Sequence, residues 1–239
     1  LLNKIKTSIA SEFRIDPAVI SLKDDRVIRS DTGEQILSLL ELAEFQDEPL
    51  VGEVEYNPPE TNIPPDWIAS IPTKEEIKKY QLHFAYSFGA QAAFVTVNEE
   101  TGSIKVNHII GAFDCGRAIN RLGVLGQIEG GLIQGLGFAL TERFAMQDGY
   151  PKVTTLGGLG LPVTSELPTI ESIIIENPHP LGPLGAKGMG EMPLSAAAPA
   201  IANAIYDAVG VWINDMPMTA EKVRAAMMAK RIHSTERVY

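Results

Sequence analysis

Four glycines, Gly182, Gly185, Gly188 and Gly190, fall within nine residues, and the run ends on a carboxylate, Glu191. Glycine is what a backbone needs where it must turn tightly or approach a ligand closely. The run follows an apolar stretch, Ile170 to Glu176, and precedes a segment from Pro193 to Val209 with helical character, so it reads as a loop between strand and helix. Pro193 suits the first turn of that helix, where a missing N–H costs nothing, and the free amides of a helix start favour an anion. Two phosphate motifs fail here: a P-loop requires Gly-Lys-Ser or Gly-Lys-Thr, whereas Lys187 is followed by Gly188, and a dinucleotide fingerprint needs its glycines after the first strand of a βαβ unit. A loop built only for phosphate gains nothing from the charge of Glu191, which suggests a base beside a cofactor. A glycine-rich turn with no ligand accounts for the spacing equally well, and the residues alone leave both readings open.

A second glycine row, at 126, 130, 131, 135 and 137, is interrupted by Gln127, Glu129 and Gln134. Each glycine costs a helix about 1 kcal/mol relative to alanine, so something must approach this one closely. Tight packing is one explanation; the amides of Gln127 or Gln134 directed at a polar cofactor are the other. Cys115, just after an apolar strand, reads as a buried inert thiol because no histidine can be placed beside it. It is the only cysteine, so this chain by itself forms no internal disulfide and no four-thiolate iron–sulfur cluster. His83, His108, His179 and His233 include no pair at i, i+4, and no protein-ligated metal site is expected.

These loops need elements to hold them. Leu1 to Phe13 has the spacing of an amphipathic helix, and Val27 to Leu42 predicts a short strand, a turn at 31–33 and a helix from about Ile36. Prolines at 58, 59, 64, 65 and 72 make Asn57 to Pro72 a surface connection. Ala92 to Asn98 is expected to hairpin with Ile104 to Phe113 through a turn at 100–102. The latter strand leads through the loop Asp114 to Asn120 into a helix from about Gly126 to Glu142. Strand, loop and helix then recur over 170–209, and Thr219 to Lys230 reads as a structural amphipathic helix. The expected fold is α+β: mixed sheets with repeated β-loop-α units in two layers. Two regions are expected: 1–80, an N-terminal helix with a small α/β part and the proline-rich connection, and 81–239, the region carrying both β-loop-α units.

A chain of 239 residues with 45% apolar content can bury a core, and its net charge of -10 argues against nucleic acid and anionic membrane as partners. No apolar run is long enough for a membrane span, and the start lacks a signal-peptide pattern, so a cytoplasmic location is expected. The first residue is Leu rather than Met, which reads as a fragment or one piece of a split or processed subunit.

Taken as longer motifs, the same residues resemble a known family. Asp114-Cys-Gly-Arg-Ala-Ile-Asn120 with Gly126-Gln-Ile-Glu-Gly-Gly131, Tyr86-Ser-Phe-Gly-Ala-Gln-Ala-Ala93, and Gly182-Pro-Leu-Gly-Ala-Lys-Gly-Met-Gly-Glu191 with Ala198 to Gly210 are similar to the C-terminal part of the molybdopterin-binding large subunit of the xanthine dehydrogenase and aldehyde oxidase family. The resemblance implies a molybdopterin cofactor, plain or as a cytosine dinucleotide, held by amides of several loops with no side chain bonded to the metal. It places Gln127, Gly89, Ala90, Gln91, Ala92, Lys187, Gly188, Met189 and Gly190 against the pterin. It also makes Glu191 the base that takes a proton from the molybdenum-bound hydroxyl, so that the oxygen attacks an electron-poor carbon of an aldehyde or of an N-heterocycle of purine or nicotinate type. Burial would raise such a carboxylate's pKa. The family's Gly-Gln-Gly loop and much of its substrate pocket are missing from this sequence. The resemblance therefore implies a complementary molybdenum-domain chain as partner, with iron–sulfur and FAD groups on further subunits. A non-catalytic scaffold that binds no cofactor without a partner is the other reading.

Overall fold

The computed structural model describes residues 1–46, 48–55, 73, 75 and 83–236, the last four through their backbone only. The proline-rich connection expected over 57–72 lies outside these residues. The chain divides into two compact units, Leu1–Asn57 and Pro58–Tyr239.

In the first unit, helix α1 (Leu2–Phe13) turns Ile5 and Ile9, one helical turn apart, into a core. The antiparallel sheet of β1 (Ile20–Lys23), β2 (Arg26–Arg29) and β3 (Gln35–Ser38) contributes Ile20, Val27 and Leu37, and helix α2 (Leu39–Phe45) adds Leu42. The helix expected from Ile36 starts later, because Ile36 and Leu37 belong to β3, where Leu37 pairs with Val27. Ser38 sets the start of α2 through a capping box: its Oγ accepts the Glu41 amide at 3.1 Å, and the Glu41 carboxylate accepts the Ser38 amide at 2.7 Å.

The second unit is built on a mixed sheet of β4 (Gly89–Val97), β5 (Ile104–Asp114) and β8 (Thr169–Ile175), in the order β4-β5-β8. The β4–β5 pair is the expected antiparallel hairpin, and β5–β8 is parallel. Between β5 and β8 come helix α3 (Arg121–Leu140) and a two-residue hairpin, β6 (Met146–Gln147) with β7 (Tyr150–Pro151). After β8 follow a short helix α4 (Met192–Ser195), α5 (Ala197–Val209) and α6 (Ala220–Glu236). Helix α3 begins five residues before the expected Gly126, because Asn120 caps it by accepting the Gly123 amide at 2.9 Å. The helix expected from Pro193 to Val209 is broken at Ala196 into α4 and α5.

Helices cover one face of this sheet, giving the α+β two-layer arrangement with two β-loop-α units side by side. Ile109, Phe113, Ile128, Leu132 and Ala197 form one core cluster, and Val106, Leu136, Ile201, Ile205, Val223 and Met227 belong to another. The opposite face carries Ala90, Ala92, Phe94, Ile110, Ala112, Ile173 and Ile175 by strict alternation, and Phe94 and Ile175 are 54% and 46% exposed. Phe94 stacks on His108 at 5.6 Å between ring centres. Among the described residues no helix is long and apolar enough to cross a membrane.

Candidate functional site

The ends of β5 and β8 lie side by side, and the loops that leave them are laced together. The Cys115 amide donates to Ile175, the Lys187 amide to Cys115 and the Arg117 amide to Gly185, at 2.9 to 3.1 Å. Gly116, with φ 68°, forms an isolated bridge with Ala186, and a Cβ there would collide with the Gly185 carbonyl oxygen, so this position requires glycine. Glu176 adds a further tie by accepting the Ala118 amide at 2.9 Å. The chain entering β4 holds the same loop from another direction: Ser87 Oγ donates to the Gly188 carbonyl at 3.0 Å, and Gln91 Nε2 to the Pro193 carbonyl at 2.7 Å.

At the centre of the lacing is an ion pair. Lys187 Nζ lies 2.5 Å from Asp114 Oδ2, and the two side chains are only 5% and 7% exposed. Burial pushes the Asp114 carboxyl up, but the Lys187 ammonium, the Gly116 amide and Asn177 outweigh it and hold the group below the usual carboxylate range. Beside it, burial raises the Cys115 thiol, consistent with an inert cysteine.

Beyond Lys187 the loop is open. A Cβ added at Gly188 or Gly190 would meet nothing within 4 Å, and the N–H groups of Gly188, Met189, Gly190 and Glu191 have no hydrogen-bond partner among the described residues. A run of four successive free backbone donors suits an anionic group. Glu191 closes it at the N-terminus of α4, with its carbonyl accepting the Leu194 amide at 3.2 Å. Its side chain is exposed, so the burial expected of a base is not supplied by this chain.

Helix α3 flanks the loop, and four of its six glycines fall into two pairs. A Cβ on Gly131 would stand 2.6 Å from Pro193 Cβ, and one on Gly135 would collide with Ala197, so α3 and the α4–α5 segment run in parallel at close range. Gly126 and Gly130, on the adjoining face, look onto open space. Gln127 is exposed one turn before Gly131 on the close-packed face, which carries it toward the level of the Lys187–Glu191 loop. Gln134 is exposed farther along α3.

The fold thus brings Gln91 together with the Lys187–Glu191 loop at one end of the sheet, with Gln127 exposed on the neighbouring helix α3. Gly89, Ala90 and Ala92 lie on the first turns of β4, but Ala90 and Ala92 point to the face opposite the helices. Lys187 has both its ammonium and its amide engaged, and Met189 packs against the Ile128 and Leu132 cluster, so these two have no free side chain to present. Sequence reasoning assigned no role to Asp114, Ser87 or the Pro193 carbonyl. The only local signal was an aspartate at the end of an apolar strand. Among the described residues no three His, Cys, Asp or Glu side chains converge to hold a metal ion.

Residues 1–168 match the family described as a molybdopterin cofactor-binding domain. The chain is 41% identical over 145 residues to the aldehyde oxidoreductase of Megalodesulfovibrio gigas, which covers 60% of this chain and 16% of that protein. It is 34% identical over 146 residues to the probable hypoxanthine oxidase of Escherichia coli (strain K12), covering 60% of this chain and 15% of that one. A CO dehydrogenase structure from Oligotropha carboxidovorans shares the fold over 96% of this chain and 27% of that one, with a TM-score of 0.64 at 23% identity. The chain therefore spans at most 16% of the length of these two curated relatives.

Proposed function

We propose that this chain, which belongs to the molybdopterin cofactor-binding domain family and is part of a molybdenum-binding subunit of the xanthine dehydrogenase and aldehyde oxidase type, supplies the catalytic base and one wall of the cofactor site in a molybdenum hydroxylase. The observation that carries this reading is the run of four amides from Gly188 to Glu191 that have no partner among the described residues, with open space beside Gly188 and Gly190 and an exposed carboxylate at its end. The residues present fit a phosphate-bearing pterin held by backbone rather than by metal ligands. The free amides suit its anionic part, the missing Cβ atoms of Gly188 and Gly190 leave room for close approach, and the buried Gln91 Oε1 has no hydrogen-bond partner among the described residues, as an acceptor kept for a ligand donor would.

When bound, the molybdenum cofactor supplies the redox chemistry by which a water-derived oxygen is inserted at an electron-poor carbon. Gly188 to Gly190 would hold it through backbone, Gln91 and Gln127 would contribute amides, the backbone of Gly89 to Ala92 would line the approach, and Lys187 fixes the loop. Glu191 accepts a proton at its carboxylate, which requires hydrogen-bond reach of the donor. The substrate class is an aldehyde or an N-heterocycle, the two chemistries named by the relatives. The exposure of Glu191 requires a complementary molybdenum-domain chain to close the site and exclude water. Iron–sulfur and flavin subunits, which carry the electrons onward, complete the assembly. The test is co-expression with the complementary chain: wild type and Glu191→Gln should carry equal molybdenum and pterin, with turnover lost only in the variant. Substantial activity in Glu191→Gln removes it as the base. The one-sided site also suits a non-catalytic scaffold, which is the reading to adopt if the assembled wild-type complex carries neither molybdenum nor pterin.

A further inference from the structure

We infer that Asp114 and Lys187 are positioning residues: their buried ion pair sets the one conformation in which the Gly188–Glu191 loop faces the cofactor. This rests on the reading of that loop as the cofactor wall. Lys187 is the last residue before the open glycines whose side chain is anchored, four positions ahead of Glu191, and its amide is fixed to Cys115 as well. Past it, the loop is held by Ser87 on the Gly188 carbonyl, by the packing of Met189 on the Ile128 and Leu132 cluster, and by Gln91 on the Pro193 carbonyl at the start of α4, none of which is an ion pair.

The choice of a charged pair is informative. Apolar side chains of similar volume would stabilise a buried position equally well or better, because desolvating two ions costs about as much as their attraction returns. What an ion pair adds is intolerance of alternatives. If the loop shifts so that Lys187 leaves, Asp114 stays behind with the Gly116 amide and Asn177 but without a counter-charge. A loop rich in glycine has many conformations open to it. The pair disfavours those in which Lys187 leaves Asp114, and both charged groups are themselves buried.

The test separates holding the fold from holding the loop. Three variants of the full chain are compared with wild type: Lys187→Met, Asp114→Asn, and the apolar pair Asp114→Leu with Lys187→Met. Three quantities are read: the urea midpoint, exchange of the Lys187 and Arg117 amides that bond across the loops, and molybdenum and pterin content after co-expression with the complementary chain. Both single variants should lower the midpoint. The double variant should recover the midpoint while its two cross-loop amides exchange about tenfold faster than wild type, as expected for local opening uncoupled from global unfolding. Its cofactor content should fall with them. A double variant that recovers the midpoint, amide protection and cofactor content together overturns the inference and leaves the pair as core filling. Unchanged amide exchange in Lys187→Met, or in a double variant that unfolds as early as the single ones, overturns it too. Failure of the cofactor reading has a different signature: wild type would carry no cofactor, and the amide exchange would still decide whether the pair holds the loop.

Discussion

Adjacent glycines on α3 should respond differently to the same substitution, one stabilised by it and the other not. A Cβ at Gly130 meets nothing within 4 Å, so Gly130→Ala keeps only the gain in helix propensity, about 1 kcal/mol. For a unit of this size that raises the melting temperature by about 2–4 °C. Gly131→Ala has the same propensity gain, but its Cβ would stand 2.6 Å from Pro193 Cβ, 3.0 Å from the Leu194 nitrogen and 3.1 Å from the Pro193 carbonyl carbon. Carbon atoms in contact sit about 3.5–4.0 Å apart, so α4 must retreat by about 1 Å. The neighbours are largely backbone and a rigid ring, which cannot swing aside. Overpacking of this kind costs about 1–3 kcal/mol, which cancels or exceeds the propensity gain. Thermal unfolding of the purified chain, followed by far-UV circular dichroism, should show Gly130→Ala above wild type and Gly131→Ala at or below it. In the loaded complex a displacement of about 1 Å, two residues from Glu191, should also reduce turnover severely. If Gly131→Ala stabilises as much as Gly130→Ala, the close approach of α3 and α4 is wrong.

Two further outcomes follow from the first unit and from the site's cysteine. Ser38→Ala should cost about 1 kcal/mol by removing the cap of α2, with faster amide exchange confined to 39–45. The Ser38 amide first, and then its hydroxyl, hold the Glu41 carboxyl below its usual range. Its contribution is therefore complete above the ordinary glutamate pKa and is lost as pH falls through the lowered value, so protection of α2 should weaken on acidification; protection independent of acid would contradict the capping box. Because burial raises the Cys115 thiol, the native chain should resist a thiol reagent at neutral pH and react fully in urea, whereas rapid labelling of the native chain would place Cys115 outside the laced loops.

Much of this architecture was legible in the sequence wherever periodicity and turn chemistry agreed. The β4–β5 hairpin, α1 and both β-loop-α units stand where alternation and glycine placement put them. Departures arose where one local rule overrode another. Ile36 and Leu37 have helical spacing with Leu40, but pairing with β2 and the Ser38 cap claim them for a strand. The expected start at Gly126 is too late, because the Asn120 cap begins α3 at Arg121. In the site, Glu191 and its glycines were visible because such density is rare, whereas the Asp114–Lys187 pair joins residues with no common motif. Only the parallel register of β5 and β8, which no local pattern encodes, brings them together.

The lacing of the loops also fixes when the site can exist. The side-chain braces on the Glu191 loop reach across 73, 101 and 102 residues of chain. None can form until β8 has docked beside β5, and pairings this distant in sequence are slow because the closure entropy must be met before any contact rewards it. While the polypeptide is still emerging, α3 and the β4–β5 hairpin can be complete, yet Glu191 has none of these braces. Placement of Glu191 is thus a closing event of folding, with no early local precursor, and anything that delays β8 delays the site and nothing before it.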